Sequence, residues 1–571
     1  MNLSSFQSRI RIVSALFSIF AIILIIKLFY VQIIHRNLYS DKADRQYATP
    51  ASNVFDRGTI FFSKKDSSLV AAGTVSSGFK IAIKAKEILD VEKTFSILSP
   101  YMTMDHDTFV LKANKKSDPY EEIAQHLSKE QADAVDILKI PGVSIYKDNW
   151  RFYPGGSLAS HALGFLAFKG DDKVGQYGLE RYYNDILSKP KNEAYVNFFA
   201  EVFSSLKNKV SDNKNEQGDI VTTIEPNTQH ILETELGDAF SKWNADEGGG
   251  IIMNPQTGEI YAMTGIPNFD LNKFNEVKDS KIFRNIMVED VIEMGSVIKP
   301  LVMSAALDAG VVTPETTYLD KGMVTVNKRD IYNFDKKARG IASMQTVLDQ
   351  SLNTGMVFVE SKLGHDKFRS YMKSYGIGEK TGIDLPNETS GLIKNIESSP
   401  RDIEYANASF GQGIALTPIE AVRAFSSLAN GGNLVVPHLV KQIRYDDGNS
   451  KILQYPVSRS GIIKKGTSDT ITRMLTHVFE AYDNGAHKYD HYSVAAKTGT
   501  AQVAIPGGGG YYPDRHTHSF FGYFPAYDPQ FIVFLFLKNP KGVKYASQSL
   551  IPPFMNITNF LQNYYNVPPD R

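Results

Sequence analysis

An α+β fold is what this sequence predicts: one antiparallel sheet covered by helices, with a helical subdomain set between its strands. Three observations carry the prediction. Strand-like segments open and close residues 216–571, and a helical stretch fills the middle. A polar, lysine- and asparagine-rich stretch at 207–217 sets that region off from a mixed segment before it. An apolar run at 12–34 stands ahead of both.

The run 12–34 is broken only by Ser14, Ser18, Lys27 and Gln32. About 20 apolar residues span a bilayer, and an off-centre lysine can reach the interface. Arg9 and Arg11 precede it, which places residues 1–11 in the cytoplasm and the rest of the chain outside. A cleaved signal peptide fits less well. The run is long for a signal core, and His35-Arg36-Asn37-Leu38-Tyr39 offers no small-residue cleavage site. The expectation is an uncleaved single-pass membrane anchor with everything after it outside.

Residues 35–215 read as a mixed α/β pedestal. Residues 53–60 suggest a strand ending at the Gly58 turn, and 121–138 suggest a helix. No catalytic cluster stands out there. In 216–571, residues 219–224 are strand-like and 229–240 helical. A hairpin follows at 250–263, with its turn at Asn254-Pro255-Gln256-Thr257-Gly258. The stretch 291–428 reads as helical and includes the capping box Thr417-Pro418-Ile419-Glu420. Strands return at 493–496, 520–524 and 531–537.

Composition narrows the function. The 571 residues exceed one ordinary domain, and an apolar content of 42% is ample for cores. Lys+Arg and Asp+Glu balance at 62 each, so no global field draws nucleic acid. Cysteine is absent, which excludes disulfides, thiolate-bound zinc and a thiol nucleophile.

The chemistry centres on Gly295-Ser296-Val297-Ile298-Lys299-Pro300. On a helix, positions three apart share a face, so Ser296 and Lys299 point the same way. Pro300 has no N–H to return to the Ser296 carbonyl, so the serine belongs at a helix start, where backbone donors are free. A serine beside an amine base and free donors suits acyl transfer. The pattern alone is common: it recurs at Ser188, Ser204 and Ser211, none of which leads into a long apolar helix. Two further groups give it company. Ser351-Leu352-Asn353 follows a helical pattern and can project a hydroxyl and an amide into a cleft. Lys497-Thr498-Gly499-Thr500 follows an apolar strand, whose edge can pair with an extended peptide while the glycine permits close approach. Lys380-Thr381-Gly382 repeats three of those residues in a turn-rich connection and is given a structural role. His516 and His518 lack a third metal ligand and read as groove lining, so no metal or cofactor is expected. Gly507 to Gly510 reads as a loop beside the site.

Ser-x-x-Lys, Ser-x-Asn and Lys-Thr-Gly in this order resemble the class B penicillin-binding proteins, the membrane-anchored peptidoglycan D,D-transpeptidases. The likeness covers nearly the whole chain. It includes Arg57-Gly58, Tyr153-Pro154-Gly155, Gly178-Leu179-Glu180, Asn254-Pro255 with Thr257-Gly258-Glu259, Arg284-Asn285, Phe410-Gly411-Gln412-Gly413, Leu416-Thr417-Pro418 and Ser519-Phe520-Phe521-Gly522. Met294 departs from it, standing where proline often precedes the Gly-Ser pair.

The resemblance implies a serine transpeptidase fold at 216–571 behind a dimerisation-type pedestal. It implies Ser296 as nucleophile, Lys299 as its base, Ser351 as proton relay and Asn353 as the group positioning Lys299 and substrate. It implies Lys497 with Thr498, Gly499 and Thr500 as holder of the substrate carboxylate. The substrate would be peptidoglycan stem peptides, crosslinked with release of D-alanine in septal synthesis, or alternatively in side-wall elongation. β-Lactams would acylate the same serine. No glycosyltransferase motif stands in the pedestal, so a polytopic membrane glycosyltransferase is the implied partner. A β-lactam-hydrolysing or sensing relative and a non-catalytic scaffold are the rival readings.

Overall fold

The computed structural model describes residues 20, 24, 55–170, 172–189, 217–505, 507, 508 and 510–571. Apart from residues 20 and 24, the span expected at 12–34 lies outside these. So do the tail at 1–11 and the serines at 204 and 211. Among the described residues no helix is long and apolar enough to cross a membrane.

One compact unit comprises Arg57–Val75, Arg151–Lys189 and Lys214–Arg571. Its first strands are β1 (Ile60–Ser63) and the opening residues of β2 (Leu69–Ile83), paired antiparallel. Among the described residues, the strand expected at 53–60 begins at Ile60; ahead of it, a Cβ on Gly58 would meet the Gly218 carbonyl at 2.0 Å. β3 (Gly218–Thr222) pairs parallel with β1, Ile60 opposite Ile220. Next to them Arg57, Arg151, Tyr153 and Glu180 form one buried group. Glu180 is fully buried and accepts from Arg57 Nε at 2.7 Å, Arg151 Nε at 2.6 Å and Tyr153 OH at 3.2 Å.

The central sheet follows. Helix α1 (Pro226–Lys242) leads into the hairpin of β4 (Glu247–Met253) and β5 (Ile260–Ile266), as the sequence suggests. α2 (Lys299–Asp308) is buried over most of its length. The expected helical middle is interrupted after α2 by four short strands: β6 (Thr317–Asp320), β7 (Met323–Val326), β8 (Arg329–Tyr332) and β9 (Gly340–Ser343). β7 and β8 form a tight hairpin, since Asn327 and Lys328 take left-handed φ of 46° and 65°. α3 (Met344–Asp349) and α4 (Asn353–Leu363) come next. α5 (Pro418–Ala429) starts with the predicted capping box, Thr417 and Glu420 each bonding the other's backbone. β10 (Val440–Tyr445) extends β3, and α6 (Lys465–Ala481) precedes the last strands. Those are β11 (Ala495–Ala504), β12 (Tyr511–Phe524) and β13 (Phe531–Lys538), closed by helix α7 (Ala546–Tyr565).

The five-stranded order is β11-β12-β13-β4-β5, antiparallel throughout. β13 shows why both faces must be covered. Ile532, Phe534 and Phe536 enter the core shared with Val297, Leu301 and Phe425, while Val533, Leu535 and Leu537 join Leu236 of α1 and Phe554 of α7. Side chains alternate faces along a strand, so an all-apolar strand is one buried on both sides. Truncating one such phenylalanine to alanine would cost about 3–5 kcal/mol.

The other compact unit contains Ser76–Trp150. Residues 79–83 pair there with the strand Glu121–Leu127, and Ile81, Leu98, Phe109, Leu127 and Val135 form its core. The helix expected at 121–138 is therefore a strand followed by a helix, Lys129–Ile137, with a Ser128–Gln131 capping box between them.

Candidate active site

The three motifs meet in one cleft of about 790 Å³, lined among others by Ser296, Ser351, Asn353, Lys497, Thr498 and Thr500. Lys299 lies fully buried beneath them, and Gly499 is buried in β11.

Ser296 sits in a single 3-10 turn, Gly295–Ile298, ahead of α2. The helix therefore begins at Lys299, whose N–H bonds the Ser296 carbonyl, and the serine keeps its place at a helix start. Two close approaches fix this turn. Gly411 comes so near that a Cβ there would meet the Gly295 carbonyl at 2.1 Å, and Gly295 N donates to Gly411 O at 3.1 Å. On the other side a Cβ on Gly499 would meet Met294 O at 2.7 Å. Glycine is required at both points. Met294 is fully buried, and its carbonyl accepts from Ser519 Oγ at 2.8 Å.

Ser351 and Asn353 flank a corner between α3 and α4. Ser351 adopts φ 52°, a left-handed conformation that costs a non-glycine residue about 1–3 kcal/mol. The corner delivers three acceptors to one amine. Lys299 Nζ donates to Ser351 O at 2.6 Å, Asn353 Oδ1 at 2.8 Å and Ser351 Oγ at 3.2 Å. From β11, Lys497 Nζ donates to the same Ser351 Oγ at 3.1 Å and to Thr498 O at 3.1 Å. Ser351 Oγ thus accepts from two lysines, which leaves its own proton to point elsewhere. Asn353 Nδ2 donates to Tyr332 O at 3.0 Å, so the amide orientation is set from both ends.

Among the described residues, no carboxylate forms an ion pair with either amine. Burial and the nearby Lys497 charge push Lys299 well below the ordinary lysine range. Burial brings Lys497 down to about 7, opposed by the Asp349 charge. Desolvation disfavours the charged form and a neighbouring cation adds to it, so the neutral form of Lys299 becomes accessible. A neutral amine keeps two N–H donors and gains a lone pair. Lys299 can then hold two of its acceptors and turn the lone pair toward a hydroxyl.

Several cleft residues were missed in the sequence. Tyr482 OH accepts from Thr498 N at 3.0 Å and lies 3.1 Å from Thr498 Oγ1, bracing the strand edge. No local pattern signals that role. Lys544, Tyr545 and Ala546 enter from the start of α7, where Ala546 N donates to Thr500 Oγ1 at 3.3 Å. The apolar spacing of Leu550, Phe554, Ile557 and Leu561 marks that helix, but Pro552 and Pro553 inside it argue against one. Tyr332, Asn333 and Arg339 come from the segment between α2 and α3.

His516 lines the cleft, as expected. His518 does not: it is fully buried, 2.8 Å from Ser549 Oγ, because β12 is covered there by α7. Thr381 is buried, and its N–H and hydroxyl both bond Glu388, in keeping with a structural role for the second Lys-Thr-Gly.

Comparisons with known proteins find relatives for the chain. The family model of the penicillin binding protein transpeptidase domain matches residues 248–558, and that of the penicillin-binding protein dimerisation domain matches 55–223. Stage V sporulation protein D of Bacillus subtilis (strain 168) is 31% identical over 554 residues, 95% of this chain and 83% of the relative. Peptidoglycan D,D-transpeptidase FtsI of Buchnera aphidicola (subsp. Baizongia pistaciae) is 26% identical over 455 residues, 78% of this chain and 76% of the relative. Among solved structures, penicillin binding protein 2X from Streptococcus thermophilus shares the fold. Its TM-score is 0.71 at 20% identity, covering 90% of this chain and 80% of that one.

Proposed function

The chain belongs to the class B penicillin-binding proteins, serine-type peptidoglycan D,D-transpeptidases, and from that premise we propose that it closes stem-peptide crosslinks in septal wall synthesis and is a target of β-lactams. One observation carries the reading: Ser351 Oγ, at the corner that also supplies Asn353, is held between two buried lysines in the cleft that Ser296 lines.

In this reading Ser296 Oγ attacks the carbonyl of the penultimate D-alanine while its proton passes to neutral Lys299. The O–C bond forms, the peptide C–N bond breaks, and a proton delivered through Ser351 leaves with the terminal D-alanine. The amine of a neighbouring stem peptide then attacks the ester and restores the serine. Backbone N–H groups of Ser296 and Thr500 hold the oxyanion, where one lost donor costs about 3–4 kcal/mol. Asn353 holds the substrate amide, and Lys497 with Thr498, Gly499 and Thr500 holds the terminal carboxylate. An arriving carboxylate favours the charged form of Lys497, and that charge further disfavours a proton on Lys299. Substrate binding and base activation are thereby linked.

The remaining assignments are an anchor at 12–34, a pedestal at 35–215, a transpeptidase domain at 216–571, an extracytoplasmic site and a polytopic glycosyltransferase partner. The apolar run behind Arg9 and Arg11 supports the first, and the dimerisation-domain match supports the second. A second reading, wall synthesis during sporulation, is favoured by the Stage V sporulation protein D relative.

Fluorescent penicillin should label the wild type and not Ser296→Ala, with slow decay of the adduct. Rapid decay would favour a β-lactamase, and no label in folded wild type would favour a scaffold. Depletion separates the biological roles. Filaments follow from lost septal synthesis, rounded cells from lost elongation, and defective spores with normal growth from the sporulation reading.

A further inference from the structure

The corner that carries Ser351 and Asn353 is gripped by a segment outside every sequence motif. Asp320, at the end of β6, is 1% exposed. Its carboxylate accepts from Thr354 Oγ1 at 2.7 Å, Arg339 N at 2.9 Å, Asn333 Nδ2 at 3.1 Å and Gly322 N at 3.1 Å. Asn333 Oδ1 accepts from Thr354 N at 3.2 Å, and Tyr332 O takes the Asn353 amide. Arg339 forks onto Asp335 at 2.9 and 2.8 Å and sends its Nε to Gln350 Oε1 at 2.7 Å. The segment therefore holds the residue before Ser351 and the two residues that follow Leu352. A buried carboxylate surrounded by donors is weak evidence of stabilisation, since apolar packing can do as well. What it supplies is a fixed geometry, here at a corner whose own backbone is strained.

We propose that Asp320, Asn333 and Arg339 are positioning residues for Ser351 and Asn353, setting where the proton relay and the Lys299 acceptors stand during acylation. This rests on the roles given above to those two residues. Asp320 acts through Thr354, Asn333 through Thr354 and Asp320, and Arg339 through Gln350. None of them needs to touch substrate.

The test uses the full-length protein in detergent. Fluorescent-penicillin acylation is resolved into its non-covalent binding constant and its acylation rate constant, with the thermal midpoint measured alongside. Arg339→Ala and Gln350→Ala should each lower the acylation rate constant about 10- to 100-fold, with little change in binding. The double variant should be no slower than the slower single, because both changes break one contact. Thr354→Val should lose the rate, and Thr354→Ser, which keeps the hydroxyl on Asp320, should retain it. The proposal is overturned if Arg339→Ala acylates within twofold of wild type. It is equally overturned if the two single losses multiply, or if every loss follows the fraction of unfolded protein. A wild type that is not labelled at Ser296 would remove the underlying reading, and the proposal with it.

Discussion

Two places in the same compact unit bury charge, and they do so in opposite ways. Around Glu180 two arginines and a tyrosine converge on one carboxylate, and each arginine bonds it, at 2.6 and 2.7 Å. In the cleft two lysines are buried at 0% and 1% exposure, and among the described residues their hydrogen-bond partners are neutral oxygens. Paired burial fixes structure, because removing either partner strands a charge away from water. Unpaired burial of amines does something else. It makes the neutral form accessible, at some expense in stability, and a neutral amine is a base. The same residue class thus separates into architecture and chemistry according to what faces it.

The contrast is broken most sharply at Lys299. Lys299→Met replaces the buried amine by an apolar chain of similar length. Penicillin acylation should fall by about 10⁴-fold or more, while the thermal midpoint holds or rises. A midpoint that collapses would show Lys299 to be structural after all. Glu180→Ala is the mirror experiment: it leaves Arg57 and Arg151 facing each other without their carboxylate. Chemical denaturation should register a loss of about 3–5 kcal/mol, while the protein that remains folded acylates at the normal rate.

Titration sharpens the difference. A base must be neutral, so acylation should rise with pH through a limb lying well below the ordinary lysine value of 10.5. Stability follows the same sign for Lys497. Between about 7 and 10.5 the folded protein binds fewer protons at this residue than the unfolded chain. Stability therefore grows as pH rises through that window and declines as pH falls toward 7. Denaturant midpoints across pH should show the slope, and Lys497→Met should flatten it. The smallest effect belongs to Asp349, the cleft-lining carboxylate that favours the charged form of Lys497. Asp349→Asn should move the Lys497 titration to lower pH and change acylation at neutral pH by less than roughly tenfold. A shift to higher pH would contradict the assigned field.

What the sequence disclosed follows physical rules. Spacing of three in Ser296-x-x-Lys299 needs only helix geometry, and the all-apolar Phe531 to Leu537 needs only strand alternation and a sheet covered twice. The failures share a cause as well. Glu121-Glu122-Ile123-Ala124-Gln125-His126-Leu127 has few β-branched residues and by pattern suggests a helix. It becomes a strand because residues 79–83 offer it a ladder. The hairpin at Asn327-Lys328 was hidden by the lack of a glycine, although Val324-Thr325-Val326 before it carried a strand pattern. The grips of Glu180 and Asp320 join residues far apart in sequence, a separation that no local periodicity encodes.

The parallel pairing of β1 with β3 has a consequence for how the chain can be made and cut. Residue 60 leaves the ribosome long before its partner at 220, and Arg57 long before Glu180. Paired on one side with the β2 that follows it, the first strand must wait for β3 while the intervening segment is synthesised, and the unit closes only after β3 has followed. A fragment started at residue 216 would lack β1 beside Ile220 and would be born with an open sheet edge. One started before Arg57 would keep the seam. Expression of the two fragments, compared by solubility and penicillin labelling, would show the enzyme's true starting point to lie upstream of its catalytic motifs.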